Sequence, residues 1–294
     1  MEGILRTEAP RNVPLPLTGG GAALHQGQFE FTGDDFARIR AFIYRYAGIA
    51  LAPGKMDMVY SRLARRLRAR GVASFSDYIS IVEGGEPEEV EAFINALTTN
   101  MTSFFREPHH FRTLAERLAQ RPAGRAVTIW SCASSSGEEP YSIAMTAQDA
   151  LGGRIQASIL ATDIDTNVLT RGREGIYPVD QLDKVPEAYR RRFFLHGDGK
   201  NEGFVRVKED LRRMVSFKRL NLLDHEWPMR GRFDFIFCRN VMIYFDRNTQ
   251  QAILERIARV LQPDGLLFVG HSESLHHAQD LFRICGNTTY GLRS

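Results

Sequence analysis

Apolar residues recur at helical spacing near the start of the chain. Phe36, Ile39, Ile43 and Tyr46 stand three or four residues apart, which places them on one face of a helix. Thr32 before this helix is typical of a helix start. The same periodicity predicts further helices at 56–70, 75–82 and 87–97. Residues 29–97 are therefore expected to form a small all-helical domain.

Farther along, the pattern changes to short apolar runs that alternate with helical segments. Strands are predicted at 127–130, 158–162, 233–238 and 266–269, with helices at 140–151, 167–173 and 247–261 between them. Such alternation is typical of a parallel sheet covered on both faces. The predicted fold class is therefore α/β, with a Rossmann-like domain over residues 98–294 that follows the helical domain.

Residues 174–220 interrupt this alternation. Two β-like runs occur there, at 204–207 and 214–217. They are preceded by three closely spaced glycines: Gly197, Gly199 and Gly203. We predict that the two runs pair as a small antiparallel β insertion within the α/β domain.

Composition limits the remaining possibilities. Residues 1–28 are rich in proline and glycine and are predicted to form a disordered tail. The 294 residues include three scattered cysteines, which fits a reducing compartment and shows no zinc spacing. No apolar run reaches the roughly 18 residues of a membrane span. We expect a cytoplasmic, monomeric protein without a metal and without membrane insertion.

The loop after the first strand has the composition of a ligand site. Residues 131–137 are all small, and a helix is expected to begin near Glu138. Small side chains let the backbone approach a ligand, and a helix start offers free N–H groups. Glu138 and Glu139 in the first turn would repel a phosphate. The loop therefore predicts an adenosine-type ligand with positive charge, such as S-adenosylmethionine.

Three further stretches are candidates for the walls of this site. Asp163 ends the second strand, where a carboxylate can hold ribose hydroxyls, although a helix cap would also explain it. Arg239 and Asn240 follow the third strand and are expected at the mouth of the site, with a surface ion pair as the alternative for Arg239. Residues 98–107 join the two domains and suit either a cleft or a capped helix start.

Together, these stretches resemble the chemotaxis receptor glutamate methyltransferases, the CheR family. The similar segments are Thr99–Arg106, Trp130–Ser142, Ala161–Asp165, Phe217–Leu223, Phe237–Phe245 and Gly270–Glu273. The resemblance spans about residues 30–292 and implies a class I methyltransferase domain. It implies that the protein methylates receptor glutamates, with S-adenosylmethionine as cofactor and S-adenosylhomocysteine as product.

The resemblance also implies residue roles. The implied cofactor-binding residues are Asn100, Thr102, Arg106, Glu139, Asp163, Asn221, Leu222, Arg239 and Asn240. Arg106, Arg239 and Tyr244 would face the reacting centre, where a planar guanidinium matches the glutamate carboxylate. A general base is not required, because glutamate is ionised near neutral pH. The sequence leaves open whether Glu138 or Glu139 contacts the cofactor.

Two features are predicted to bind the receptor. Arg62, Arg65 and Arg66 form a basic stripe, which suits the glutamate-rich receptor helices that the resemblance implies. A solvated face and nucleic acid are the alternatives, but aromatic residues for base stacking are not interleaved in the stripe. The glycine-bearing loop resembles the β-subdomain with which some members capture a peptide at the receptor C-terminus, although a plain hairpin would explain it too.

Two other functions stay open at this point. A methyltransferase for RNA or a small molecule would share the cofactor site, and transfer to RNA would depend strongly on salt. A sensor or scaffold that binds the cofactor without catalysis would share it as well. Methyl ester formation on a receptor distinguishes the prediction from both.

Overall fold

The computed structural model describes residues 28–122, 124–153 and 155–293. The tail that we predict over residues 1–28 lies outside these ranges except for its last residue. None of the described helices combines the length and the apolar character that a membrane crossing would need.

Four helices form the first unit, and they lie where the apolar periodicity predicts them. They are α1 (Gly33–Ala47), α2 (Met56–Arg70), α3 (Phe75–Glu83) and α4 (Pro87–Leu97). The side chain of Thr32 caps α1, since its Oγ1 accepts from the Asp35 N–H at 3.1 Å. Gly71 ends α2 in the left-handed region, with φ +65°. The predicted helical unit is thus confirmed.

The core of this unit is mostly apolar but includes the carboxylate of Glu89. Glu89 is 2% exposed and accepts hydrogen bonds from Arg66 Nη2 at 2.8 Å and from the Tyr78 hydroxyl at 2.7 Å. Burial acts to raise the pKa of Glu89, but the two hydrogen bonds outweigh it and leave the pKa below its usual value. This cluster joins α2, α3 and α4.

The second unit is built on a mostly parallel sheet. Its strands and those of a smaller sheet are β1 (Val127–Ser131), β2 (Ala157–Asp163), β3 (Ile176–Pro178), β4 (Phe194–His196), β5 (Phe204–Val207), β6 (Val215–Arg219), β7 (Phe233–Cys238), β8 (Leu261–Val269), β9 (Phe282–Gly286) and β10 (Thr289–Leu292). The large sheet has the order β6-β2-β1-β7-β8-β10-β9, and the small antiparallel sheet has the order β3-β5-β4. The first five strands of the large sheet are parallel, whereas β10 is antiparallel to both of its neighbours.

Helices cover both faces of the large sheet, and the predicted α/β class is confirmed. The helices are α5 (His109–Ala119), α6 (Glu138–Leu151), α7 (Thr166–Glu174), α8 (Glu187–Phe193), α9 (Glu209–Arg212) and α10 (Arg247–Val260). One apolar cluster lies between the sheet and α5, α6 and α7, and a second lies against α10. Because the strands are buried on both faces, they appear in the sequence as nearly continuous apolar runs.

The structure corrects the predicted insertion. The run at 214–217 does not pair with β5; it forms β6, which lies parallel to β2 with Ala161 opposite Phe217. The Phe217 ring fills the space beside Gly172, where a Cβ atom would come within 2.5 Å of it. The small sheet consists instead of β3, β4 and β5, and it spans residues 176–207.

Several elements were absent from the prediction, among them α5 and β9 as well as β3, β4 and α9. The buried face of α5 carries Phe111, Leu114 and Leu118 at helical spacing, so the sequence held a signal for it. β9 alternates less clearly, because only Phe282 of its five residues is buried. Its place is set by antiparallel pairing with β10.

Removal of the buried carboxylate in the helical unit tests its contribution to stability. We expect Glu89→Ala to lower the free energy of unfolding by about 1–3 kcal/mol, because the Tyr78 hydroxyl is left buried without an acceptor. The matched control is Glu83→Ala, which breaks the half-exposed pair with Arg38 at 2.6 Å. A change below about 1 kcal/mol is expected there. Denaturant unfolding measures the free energy of unfolding of both variants. Equal losses of stability in the two variants would contradict a special contribution of the buried Glu89 carboxylate.

Candidate active site

A cavity of about 330 Å³ lies where the carboxyl ends of β1, β2 and β7 meet the helical unit. Ligands in open α/β sheets bind at this edge. Every residue predicted to bind the cofactor or to face the reacting centre borders the cavity: Asn100, Thr102, Arg106, Glu139, Asp163, Asn221, Leu222, Arg239, Asn240 and Tyr244. The sequence therefore identified the lining, while the role of each residue stays a prediction.

The loop of small residues after β1 is wedged against the end of β2. The Ser135 N–H donates to Asp163 Oδ2 at 2.8 Å, and the Ser134 N–H donates to the Thr162 carbonyl at 2.9 Å. Gly137 has φ +103°, and a Cβ there would lie 2.7 Å from the Tyr177 hydroxyl. Small residues therefore fit a loop that packs closely against β2 and Tyr177 on one side and borders the cavity on the other.

The structure distinguishes the two acidic residues at the start of α6. Glu139 borders the cavity, whereas Glu138 accepts from the Ser136 hydroxyl at 2.8 Å and lies outside the lining. Burial raises the pKa of Glu139, and Arg239 opposes that shift. Of the two carboxylates, Glu139 is the one that a ligand in the cavity would meet.

The Arg239 guanidinium is the centre of a buried ion network. Its Nη1 lies 2.8 Å from Glu139 Oε2, and its Nη2 lies 3.2 Å from Glu107 Oε2. The same Nη2 donates to the Arg106 carbonyl at 2.5 Å. Because its side chain is only 1% exposed, these partners compensate a charge that water does not reach. Arg239 thus connects β7, α6 and the segment before α5.

Glu107 belongs to this network and was not among the predicted site residues. Its second oxygen, Oε1, lies 3.1 Å from His271 Nδ1. Burial acts to raise the pKa of Glu107, but hydrogen bonds from His271 and Arg239 and the charge of Arg239 outweigh it and lower the pKa to about 2. The carboxylate therefore stays ionised at any ordinary pH.

Backbone strain concentrates around the cavity. Among the described residues, five that are not glycine have positive φ: Phe105, Glu107, Ser135, Asn240 and Thr288. Ser135 and Asn240 line the cavity, and Phe105 and Glu107 flank Arg106, which also lines it. Strained backbone of this kind persists where the surrounding contacts hold it and is common at functional sites.

Glu273 holds the segment after β7, a role that the sequence gave no means to assign. Its carboxylate accepts from the backbone N–H groups of Asn240, Met242 and Gly270, at 2.8, 2.8 and 2.6 Å. A Cβ on Gly270 would lie 2.4 Å from Asn240 Nδ2, so only glycine fits there. The segment Gly270–Glu273 thus supports Asn240 and Tyr244 rather than touching a ligand.

Asp163 and Asp165 have different tasks at the end of β2. Asp165 caps α7 through Oδ1, and its Oδ2 accepts from the Thr98 hydroxyl and the Asn100 amide, both at 2.7 Å. Asp163 faces the cavity, where burial raises its pKa to about 6. The helix cap that was an alternative for Asp163 is therefore supplied by Asp165.

Arg106 differs from Arg239 in its surroundings. It is half-buried, and its Nη1 donates to the Met101 carbonyl at 3.0 Å. Within the described ranges it makes no ion pair. Tyr244 is half-buried and borders the same cavity. Arg106 thus offers guanidinium donors to a carboxylate that enters from outside.

Two arginines of the predicted basic stripe have partners within the helical unit, and docking by the stripe stays a prediction. Arg66 pairs with Glu89, and Arg62 Nη1 donates to the carbonyls at the end of α4, with 2.7 Å to Thr98 O. Both side chains therefore serve the helical unit itself. Only Arg65 of the three is fully exposed. Because residues 62 and 66 lie one turn apart on the face that packs against α4, the sequence spacing alone did not separate these roles.

The glycine-bearing loop connects β4 to β5 and lies away from the cavity. A Cβ on Gly197 would come within 2.1 Å of the Asn201 carbonyl oxygen. Gly199 and Gly203 have φ +52° and +84°. All three glycines are therefore required by the turn itself.

One group of described residues has the geometry for a metal ion, although the sequence predicted none. Glu107, His109 and His110 each place a ligand atom within 4.8 Å of the others. Thr288 Oγ1 already lies 2.8 Å from His110 Nε2, and the Arg239 guanidinium beside Glu107 would repel a cation. We therefore assign Glu107 to the ion network.

Comparisons with known proteins agree with this geometry. A family model described as "CheR methyltransferase, SAM binding domain" matches residues 100–291, and one described as "CheR methyltransferase, all-alpha domain" matches residues 34–98. The chain is 48% identical over 284 residues to chemotaxis protein methyltransferase 2 of Pseudomonas aeruginosa, covering 96% of this chain and 99% of that protein. It is 50% identical over 261 residues to the chemotaxis protein methyltransferase of Escherichia coli K12, covering 87% and 90%.

The raised pKa of Asp163 predicts how cofactor affinity depends on pH. An ionised carboxylate accepts hydrogen bonds from ribose hydroxyls, so affinity should be full above a pH of about 6 and fall below it. One coupled proton limits the loss to about tenfold per pH unit. Calorimetric titration with S-adenosylhomocysteine from about pH 5 to about pH 8 measures it. The Asp163→Asn variant should bind S-adenosylhomocysteine weakly, and its affinity should not depend on pH in this range. An affinity of the unaltered protein that does not change with pH would contradict the role of Asp163 in binding the ribose.

Proposed function

The chain belongs to the CheR methyltransferase family, and from that premise we propose that it transfers a methyl group from S-adenosylmethionine to glutamate side chains of chemotaxis receptors. The observation that carries the proposal is the position of Arg106. Its guanidinium lies in the wall of the cavity without a carboxylate partner in the described part of the chain. A receptor glutamate supplies that partner.

The cavity residues fit an S-adenosyl ligand. Glu139 and Asp163 offer carboxylates to its amino and hydroxyl groups, and Ile164 and Leu222 offer apolar surface to its adenine ring. When bound, S-adenosylmethionine supplies an electrophilic methyl group, whose carbon–sulfur bond breaks as a carbon–oxygen bond to the glutamate forms, leaving S-adenosylhomocysteine and a neutral methyl ester.

The protein contributes mainly orientation to this reaction. The acceptor carboxylate is ionised near neutral pH, so no side chain has to remove a proton. Alignment of two bound reactants is worth up to about 7–11 kcal/mol. Arg106 and Tyr244 orient the carboxylate at the mouth of the cavity. The Arg239 guanidinium is already paired with Glu139 and Glu107. We therefore assign Arg239 to positioning Arg106, because it donates a hydrogen bond to the Arg106 carbonyl.

Loss of the Arg106 guanidinium should abolish most methyl transfer. We expect Arg106→Ala to lower turnover by roughly 10²-fold, the scale seen when one preorganised hydrogen-bond donor is removed from a reacting centre. The measurement incubates the protein with labelled S-adenosylmethionine and receptor cytoplasmic fragments, and then counts base-labile methyl esters.

The matched control for that variant is Arg117→Ala, which removes an exposed arginine on α5 outside the cavity lining. It should leave turnover unchanged, and a thermal melt should show that both variants fold. Unchanged turnover in Arg106→Ala would refute the assigned role. Label in RNA instead of receptor would favour a nucleic-acid methyltransferase, and cofactor binding without esters would favour a non-catalytic sensor.

Receptor recognition is proposed to use two surfaces outside the cavity. Arg65 is the exposed member of the predicted stripe and complements acidic receptor helices. The small sheet offers β4 as an edge strand, since β4 pairs only with β5. Ile176 and Leu195 flank Arg206 on the exposed face of the small sheet. This surface suits a peptide with apolar and acidic side chains.

The edge strand predicts a dependence on a peptide at the receptor C-terminus. Gly197→Ala should distort the loop beside β4 and raise the KM for receptors that carry such a peptide, because the new Cβ would meet Asn201. Turnover of receptor fragments without the peptide should be unaffected. Steady-state kinetics with both fragments tests this. An equal KM for the two fragments in the unaltered protein would rule out a tether.

A further inference from the structure

The exposed apolar side chains of this protein are not scattered. Eight large ones are exposed among the described residues, and four of them lie on the small sheet or the turn beside it. Ile284 stands alone on β9, the outermost strand of the large sheet. The remaining three, which we call the rim, are Tyr44, Met101 and Ile243.

The rim residues come from three segments that each contribute residues to the cavity lining. Met101 borders the cavity and is 82% exposed. Ile243 is 53% exposed and stands between Val241 and Tyr244, which both border the cavity.

Tyr44 contacts the segment after β7 from the helical unit. It is 43% exposed, and its hydroxyl donates to Asp246, the neighbour of the cavity residue Phe245. Exposed apolar residues grouped around a site mark a binding surface more often than isolated ones do.

We propose that the rim binds an apolar side chain of the acceptor helix, one turn away from the glutamate that is methylated. This inference rests on the proposed function. Reacting atoms must approach within about 3–3.5 Å, so the acceptor backbone has to lie across the opening. On a helix, the residues three and four positions from the glutamate then lie about 5–6 Å from it, over the rim.

The charges at the opening agree with an acidic, amphipathic acceptor. Arg106 and Lys55 both border the cavity and provide positive charge for the entering glutamate. Tyr44 is the only aromatic residue of the rim, beside Met101 and Ile243, so the rim offers no row of rings on which successive bases could stack, which favours a protein over single-stranded nucleic acid. Selection among the glutamates of one receptor thereby depends on the apolar neighbours of each glutamate.

Ile243→Ser tests the rim without altering the cavity lining. We expect the KM for a receptor cytoplasmic fragment to rise about tenfold, the change that about 1.4 kcal/mol of lost apolar contact produces. The kcat should change by less than about twofold, because the orienting groups are untouched. Ile243→Met should restore the KM. Ile284→Ser removes an isoleucine that is even more exposed and lies outside the cavity lining, and it should leave the KM unchanged.

Changes on the acceptor make the test specific. Replacing the apolar residues three and four positions from the methylated glutamate by serine should raise the KM of the unaltered protein similarly. Combining these changes with Ile243→Ser should add little, because contacting residues are not independent. An unchanged KM in Ile243→Ser, fully additive effects, or an equal effect of Ile284→Ser would overturn the rim proposal alone. Absence of methyl transfer by the unaltered protein would overturn the proposed function with it.

Discussion

The buried guanidinium of Arg239 is the interaction on which the candidate active site depends. Its charge is compensated by Glu139 at the start of α6 and by Glu107 before α5, and the Arg106 carbonyl accepts from it as well. A charge removed from water is tolerated only while such partners stay in place. The segment that carries Arg106 is therefore fixed relative to the end of β7, while the Arg106 guanidinium itself stays outside the ion network.

A second constraint holds the helical unit against the sheet. One carboxylate oxygen of Asp165 caps α7, and the other accepts hydrogen bonds from Thr98 and Asn100. The chain between the two units is thereby held at the end of β2. The Asn221 amide also donates to the Tyr46 carbonyl at 2.6 Å. Asn100 and Asn221 both border the cavity, and the positive φ angles of Ser135 and Asn240 show that its walls are held against local preference.

Chemistry and recognition are assigned to different parts of the molecule. Carboxylates inside the cavity suit the cofactor, whereas the cations and apolar residues at its opening suit the acceptor. Several arginines that the sequence suggested for binding are used internally, as Arg62 and Arg66 are against α4. The number of arginines in a segment therefore does not show how many of them are free to meet a partner.

The sequence by itself determined the local elements and the lining of the site. Helix periodicity and caps predicted α1 to α4, and the ends of the apolar strands pointed to Asp163 and Arg239, because carboxyl ends of parallel strands meet at one edge. Only the tertiary structure decided the partner of β6, since a short apolar run carries no information about strand direction. It also decided that Glu139 rather than Glu138 borders the cavity, and that Glu107 and Glu273 hold it together. Those contacts join residues far apart in the chain, and no local pattern encodes them.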